Sequence, residues 1–127
     1  FNTPPVFSIY TTLLTLRWLK NLGGIDVIEA RNNAKAELIY EEIDRNELFT
    51  GYAETNSRST MNATFQLLDD NHKEKFNTAW TEAGVSGING HRSIGGYRAS
   101  MYNAMPIEGV VQLIDFLEKF RLIYPPP

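Results

Sequence analysis

The sequence predicts an α+β fold: a small, mostly antiparallel sheet with helices packed on one face. Four segments carry apolar residues at the three-to-four spacing of a helix face. Short stretches between them alternate apolar and polar residues, as half-buried strands do. No internal repeat, low-complexity stretch or linker divides the 127 residues, which is one domain's worth and enough for a real core.

The first helix is expected from about Val6 to Asn21. Val6, Ile9, Tyr10, Leu13 and Leu14 follow one face. Leu16, Trp18 and Leu19 widen the apolar surface, so burial on more than one side is expected. Gly23-Gly24 ends the helix. The second spans about Ile25 to Asn46, with Val27, Ala30, Ala34, Leu38 and Ile39 as its buried stripe. Glu29, Arg31, Lys35, Glu41 and Arg45 form its wet side. A third begins near Asn71, where Asn71 and Glu74 have capping-box spacing, and Phe76, Ala79, Trp80 and Ala83 share a face before Gly84. The fourth starts at Pro106, with Ile107, Val110, Val111, Ile114 and Leu117 as its stripe. Strands are expected over Met61 to Leu67 and near Gly95 to Tyr102. In the latter, Tyr97, Ala99 and Met101 point one way and Arg98, Ser100 and Tyr102 the other. Phe49 to Ala53 and Val85 to Ile88 are further candidates.

Composition narrows the function. Hydrophobic residues make up 43% and charged residues 21%, the balance of a folded domain rather than a disordered chain. A net charge of -3 gives no general affinity for nucleic acid or acidic membranes. Aromatic residues are not interleaved with basic ones, which disfavours single-stranded nucleic acid. There is no cysteine, so disulfides and thiolate chemistry are excluded, which fits a cytoplasmic protein. With two histidines, no metal site assembles by spacing. Ser57, Ser59 and Ser93 lack a nucleophile signature. No apolar run approaches the roughly 20 residues of a membrane helix, and no signal peptide is visible. The chain starts at Phe1 without methionine, and residues 1–5 read as an extended lead-in of a prepared fragment or a processed protein. Tyr124 and Pro125-Pro126-Pro127 cannot continue a helix and are expected to trail into solvent.

The densest chemistry lies in Gly90-His91-Arg92-Ser93-Ile94-Gly95-Gly96-Tyr97-Arg98-Ala99-Ser100. Arginine presents a rigid fork of donors that matches carboxylate and phosphate oxygens. The glycines allow close backbone approach and an anion nest of amides. Arg98 on a strand has a fixed direction, and His91 and Arg92 sit in the loop before it. The set suits one molecule with two separated anionic ends; a glycine turn with surface arginines explains the same residues. Asn2 and Thr3 offer an amide and a hydroxyl before a helix start, and helix capping is the favoured role. Asn56 to Asn62, with Arg58, reads as a hairpin or loop, and His72 as a solvated residue.

The sequence resembles phosphoserine aminotransferases. Gly90-His91-Arg92, Gly95-Gly96-Tyr97-Arg98-Ala99-Ser100, Tyr102-Asn103-Ala104-Met105-Pro106 and Glu108-Gly109-Val110 carry the likeness. Arg58-Ser59-Thr60-Met61-Asn62, Phe65-Gln66-Leu67, Asn2-Thr3-Pro4-Pro5, Trp18-Leu19-Lys20 and Gly23-Gly24 extend it over nearly the whole chain. The resemblance implies the C-terminal small domain of a fold-type-I pyridoxal-phosphate transferase over residues 1–127, with 6–21 as an interdomain helix. It implies a cytoplasmic homodimer that moves an amino group between glutamate and 3-phosphohydroxypyruvate, giving 2-oxoglutarate and O-phosphoserine in serine biosynthesis. A related step of pyridoxine synthesis is a second activity that it implies for bacterial members. By position, Arg98 looks like the grip on the substrate's α-carboxylate, and His91 and Arg92 like the pair that holds its phosphate. Asn2 and Thr3 look like the residues that reach the phosphate of pyridoxal 5'-phosphate across the dimer interface.

One departure is large. The cofactor ring and its Schiff-base lysine belong to an upstream domain in this family, and none of Lys20, Lys35, Lys73, Lys75 and Lys119 sits in a matching motif. The chain alone is expected to be inactive and to contain no catalytic residue. A stand-alone anion-binding or interaction module of the same fold is the alternative.

Overall fold

The computed structural model describes residues 2–126. Phe1 of the expected lead-in and Pro127 of the expected tail lie outside them. Two compact units divide the chain, one over residues 1–31 and one over 32–127.

The first unit contains helix α1, Val6–Leu22, and the start of α2, Ile25–Arg45. Gly23, at φ 116, closes α1 in the left-handed conformation that glycine adopts most readily, and its N–H returns to the helix carbonyls. No residue of α1 is buried. No side chain caps the start of α1; Val6 N–H donates to the carbonyl of Pro4 instead. The capping role expected of Asn2 and Thr3 is therefore not taken, and both side chains are exposed.

The second unit holds the rest of α2 and a three-stranded sheet of order β1-β2-β3, all antiparallel. The strands are β1, Phe49–Gly51, β2, Asn62–Leu67, and β3, Tyr97–Ser100. Helices α3, Lys73–Glu82, and α4, Ile107–Ile123, complete it. Alternation sets the two faces of the sheet. Ala63, Phe65, Tyr97 and Ala99 are buried, while Thr64, Arg98 and Ser100 on the other face are half-buried. The core centres on Phe76, fully buried, whose ring lies edge-on to Tyr97 at 4.7 Å, Phe120 at 5.0 Å and Phe49 at 5.3 Å. Edge-to-face pairs of this kind each add about 0.5–1.5 kcal/mol beyond their burial. The α+β architecture is the expected one.

Several local expectations are corrected. Val85 to Ile88 forms no strand; Asn89 makes a single bridge to Tyr97 instead. The Asn71–Glu74 capping box is displaced by Asp69, whose carboxylate accepts from Asn71 N–H at 2.9 Å and starts a 3-10 turn over Asp70–His72. His72 is half-buried, not solvated, and stands 6.1 Å from the Tyr124 ring. The inward stripe of α4 runs through Val110, Leu113, Leu117 and Phe120, leaving Ile107 and Val111 exposed.

The largest correction concerns α2. Its buried residues within the second unit are Asn32, Lys35, Ala36, Ile39, Tyr40, Glu42 and Ile43, and Lys35 is only 2% exposed. A polar pattern reads as a wet side only if its polar atoms lack partners in the core. Here Lys35 and Asn32 find theirs on the turn after β3. Burial lowers the pKa of Lys35.

Candidate functional site

The glycine-rich segment folds into a closed loop. Gly90 N–H donates to the carbonyl of Gly96 at 2.9 Å, and the amides of Ile94 and Gly95 donate to the His91 carbonyl at 3.1 and 2.8 Å. A side chain at Gly90 would place its Cβ 2.0 Å from the Gly95 carbonyl oxygen, so the loop closes only over glycine there. Gly96, at φ 64, turns the chain into β3 against the Phe65 carbonyl. The expected anion nest is largely spent: the amides of Gly90, Ser93, Ile94 and Gly95 all donate within the loop. The anion-binding capacity therefore rests on side chains.

His91 is oriented by its neighbour. The Ser93 backbone N–H donates to His91 Nδ1 at 3.3 Å, and Ser93 Oγ stands 2.7 Å from the same atom. A donating amide makes Nδ1 the acceptor, which selects the tautomer with its proton on Nε2, and Nε2 meets no hydrogen-bond partner among the described residues.

Arg98 sits opposite Thr64 in the ladder, and its N–H donates to the Ile88 carbonyl at 2.7 Å. Its side chain leaves the sheet on the face away from Tyr97 and Ala99. Among the described residues no carboxylate pairs with it, and its buried Nε has no hydrogen-bond partner. A guanidinium held this way retains its donors for a ligand.

His91 and Arg98 line one cavity of about 120 Å³, with Tyr52, Thr64, Phe65 and the glycines of the loop. That volume takes one end of a small molecule, below the roughly 300 Å³ of a complete ligand site. Arg92 is adjacent in the chain and exposed, but does not line the cavity. Asn2 and Thr3 belong to the other unit. A larger cavity of about 510 Å³ between α4 and the segment after α3 contains no arginine or histidine.

The other polar stretch is structural. Arg58 makes two 2.6 Å hydrogen bonds to Asp44 and lies over the Tyr40 ring, 4.6 Å from its centre. The loop reading holds from Asn56 to Met61, with a 3-10 turn at Thr55–Ser57, and Asn62 already opens β2. Sequence reasoning missed the burial of Lys35. The available signal was its place one turn before the core residue Ile39, on the same face as Asn32.

The aminotransferase class-V family model matches residues 1–113. A phosphoserine aminotransferase of Flavobacterium psychrophilum is 61% identical over 121 residues, 95% of this chain and 34% of the relative. The solved phosphoserine aminotransferase from Bacillus circulans subsp. alkalophilus superposes with a TM-score of 0.90 at 41% identity, over 96% of this chain and 34% of that one. The pyridoxal-phosphate-bound phosphoserine aminotransferase from Trichomonas vaginalis gives 0.84 at 35% identity, over 93% and 34%. The chain thus spans about a third of the length of the relatives it matches. It belongs to the class-V aminotransferase family.

Proposed function

We propose that this chain is the substrate-gripping C-terminal part of a phosphoserine aminotransferase, a cytoplasmic homodimer. The observation that carries the reading is the shared cavity of His91 and Arg98, in which Arg98 has no acidic partner among the described residues. Arg98 binds the α-carboxylate common to glutamate and phosphoserine through two parallel hydrogen bonds. His91 Nε2–H and the exposed Arg92 guanidinium hold the phosphate of phosphoserine or 3-phosphohydroxypyruvate, and 2-oxoglutarate takes the Arg98 grip as glutamate does. Absence of helix capping leaves the Asn2 amide and Thr3 hydroxyl able to donate to a cofactor phosphate.

The residues present fit the cofactor's phosphate but not its covalent anchor. Lys35 has all three ammonium protons on carbonyls, and none of the five lysines lines the cavity of His91 and Arg98. Pyridoxal phosphate, when bound, supplies the electron sink for amino transfer; this chain's residues bind and orient the substrate.

The complete protein is expected to transaminate phosphoserine with 2-oxoglutarate, and the 127-residue chain by itself to show no turnover. Borohydride treatment of the chain with pyridoxal phosphate is expected to trap no specific lysine. A single lysine trapped stoichiometrically, with turnover, overturns the reading.

A further inference from the structure

We propose that Lys35 is a positioning residue for Arg98: its buried ammonium pins the turn after β3 and thereby sets the reach of the Arg98 fork. The inference rests on the reading of Arg98 as a carboxylate grip. Lys35 Nζ donates to the carbonyls of Met101 at 3.1 Å, Tyr102 at 2.8 Å and Met105 at 3.1 Å. An ammonium has three protons, so each has one acceptor and none remains. All three acceptors come from one tight turn, which Met105 N–H closes on the Tyr102 carbonyl at 2.8 Å. From the same face of α2, Asn32 donates to Asn103 Oδ1 at 2.8 Å. Two polar side chains of α2 therefore hold residues 101, 102, 103 and 105.

The chemistry of position 35 points to this purpose. Among the described residues Lys35 has no carboxylate partner, so its charge is compensated by carbonyl dipoles alone. An apolar residue would fill the space without desolvating a charge. It could not gather three carbonyls at one point. Strand β3 is only four residues long, and its last tie to the sheet is Met101 N–H on the Met61 carbonyl at 2.8 Å. Met101 lies three residues beyond Arg98. Release of the turn lets the end of β3 tilt, and the long Arg98 side chain multiplies that tilt at its guanidinium. Misplacement by about 1 Å costs up to about a hundredfold in rate.

The test is a double-mutant cycle in the complete enzyme with Lys35→Met, Arg98→Lys and the pair, reading KM and kcat for glutamate and for phosphoserine together with the thermal midpoint. Lys35→Met is expected to raise KM for both substrates about tenfold with a smaller change in kcat, as weakening of a charge-assisted hydrogen bond to the shared α-carboxylate implies. In the Arg98→Lys background the same change is expected to raise KM no further, because the grip it positions is already lost. A lower midpoint with unchanged KM, or full additivity in the cycle, overturns the role of Lys35 while leaving the Arg98 grip intact. An Arg98→Lys enzyme with unaltered KM overturns the grip and the positioning role with it. If Lys35→Met does not fold, Asn103→Ala removes only the Asn32 contact to the same turn. It is then expected to give a smaller KM rise that also vanishes in the Arg98→Lys background, and an unchanged KM overturns the proposal.

Discussion

Two arginines of the second unit show how one side chain serves two ends. Arg58 follows the Thr55–Ser57 turn and spends both terminal amines on Asp44 while its plane lies over Tyr40. Arg98 projects from β3 and meets no carboxylate among the described residues. Both have a buried Nε without a partner, so the difference lies in the terminal amines. An arginine satisfied inside the chain holds parts of the chain together. One fixed at its base and unsatisfied at its tip is built for something that arrives from outside.

Arg98→Lys in the complete enzyme is the strongest way to break this comparison. Lysine keeps the charge and loses the fork, so KM for glutamate and for phosphoserine is expected to rise roughly tenfold to a hundredfold, as the loss of a charge-assisted hydrogen bond implies. The thermal midpoint should hardly move, because the Arg98 side chain has no partner to lose among the described residues. KM for glutamate left unchanged would show that the fork is not the carboxylate grip. Arg92→Ala sharpens the same side of the comparison. It is expected to weaken phosphoserine about tenfold and glutamate less, since only phosphoserine carries a phosphate. Equal losses for both substrates, measured as kcat/KM, would contradict separate grips for the two anionic ends.

The difference between the two arginines was half legible in the sequence. The alternation Tyr97, Ala99, Met101 against Arg98, Ser100 placed Arg98 on the outward face of a strand, and β3 is that strand. The glycine punctuation located the loop, but not that Gly90 meets Gly96 and consumes the amides of a nest, because ring closure is a tertiary event. The Arg58–Asp44 pair was illegible: fourteen residues separate them, and no local rule pairs across a helix and a turn. Lys35 was misread for a related reason. Helical periodicity assigns faces by side-chain type, and a buried lysine is legible only once its three carbonyls are in view. Helix α1 shows the converse. It has the same length as α4 and is similarly apolar, yet no residue of it is buried, whereas α4 buries four. The apolar residues of α4 concentrate on one stripe, while those of α1 surround the helix, and only the first arrangement matches a single core face.

Arg58→Met tests the structural side. It removes an ion pair with a half-exposed carboxylate and a cation–π contact, each modest, and is expected to cost about 1–2 kcal/mol of stability. Substrate KM in the complete enzyme should not change. A KM shift as large as that of Arg98→Lys would erase the distinction between the two residues.

The smallest effect is a pH dependence confined to the Arg58 corner. Hydrogen bonds from Arg58 hold the Asp44 carboxyl below its ordinary value of 3.8, against the opposing effect of burial. A carboxyl whose pKa is lowered by folding binds fewer protons folded than unfolded at pH values around and just below 3.8. Its contribution to stability is therefore complete above that value and is lost as pH falls through the lowered pKa. Asp44 is half-exposed, so solvent screens the pair and the loss is expected to stay below about 1 kcal/mol. Asp44→Asn abolishes this dependence, since an amide does not titrate there. Denaturant unfolding at pH 6 and at pH 2.5 measures it: the destabilisation caused by Asp44→Asn should be largest at pH 6 and shrink toward zero at pH 2.5. Arg98→Lys should show no such convergence, because no acid among the described residues pairs with Arg98. An Asp44→Asn penalty equal at both pH values would mean that the two 2.6 Å hydrogen bonds do not stabilise the ionised carboxylate. Arg58 would then be held by Tyr40 and its packing alone.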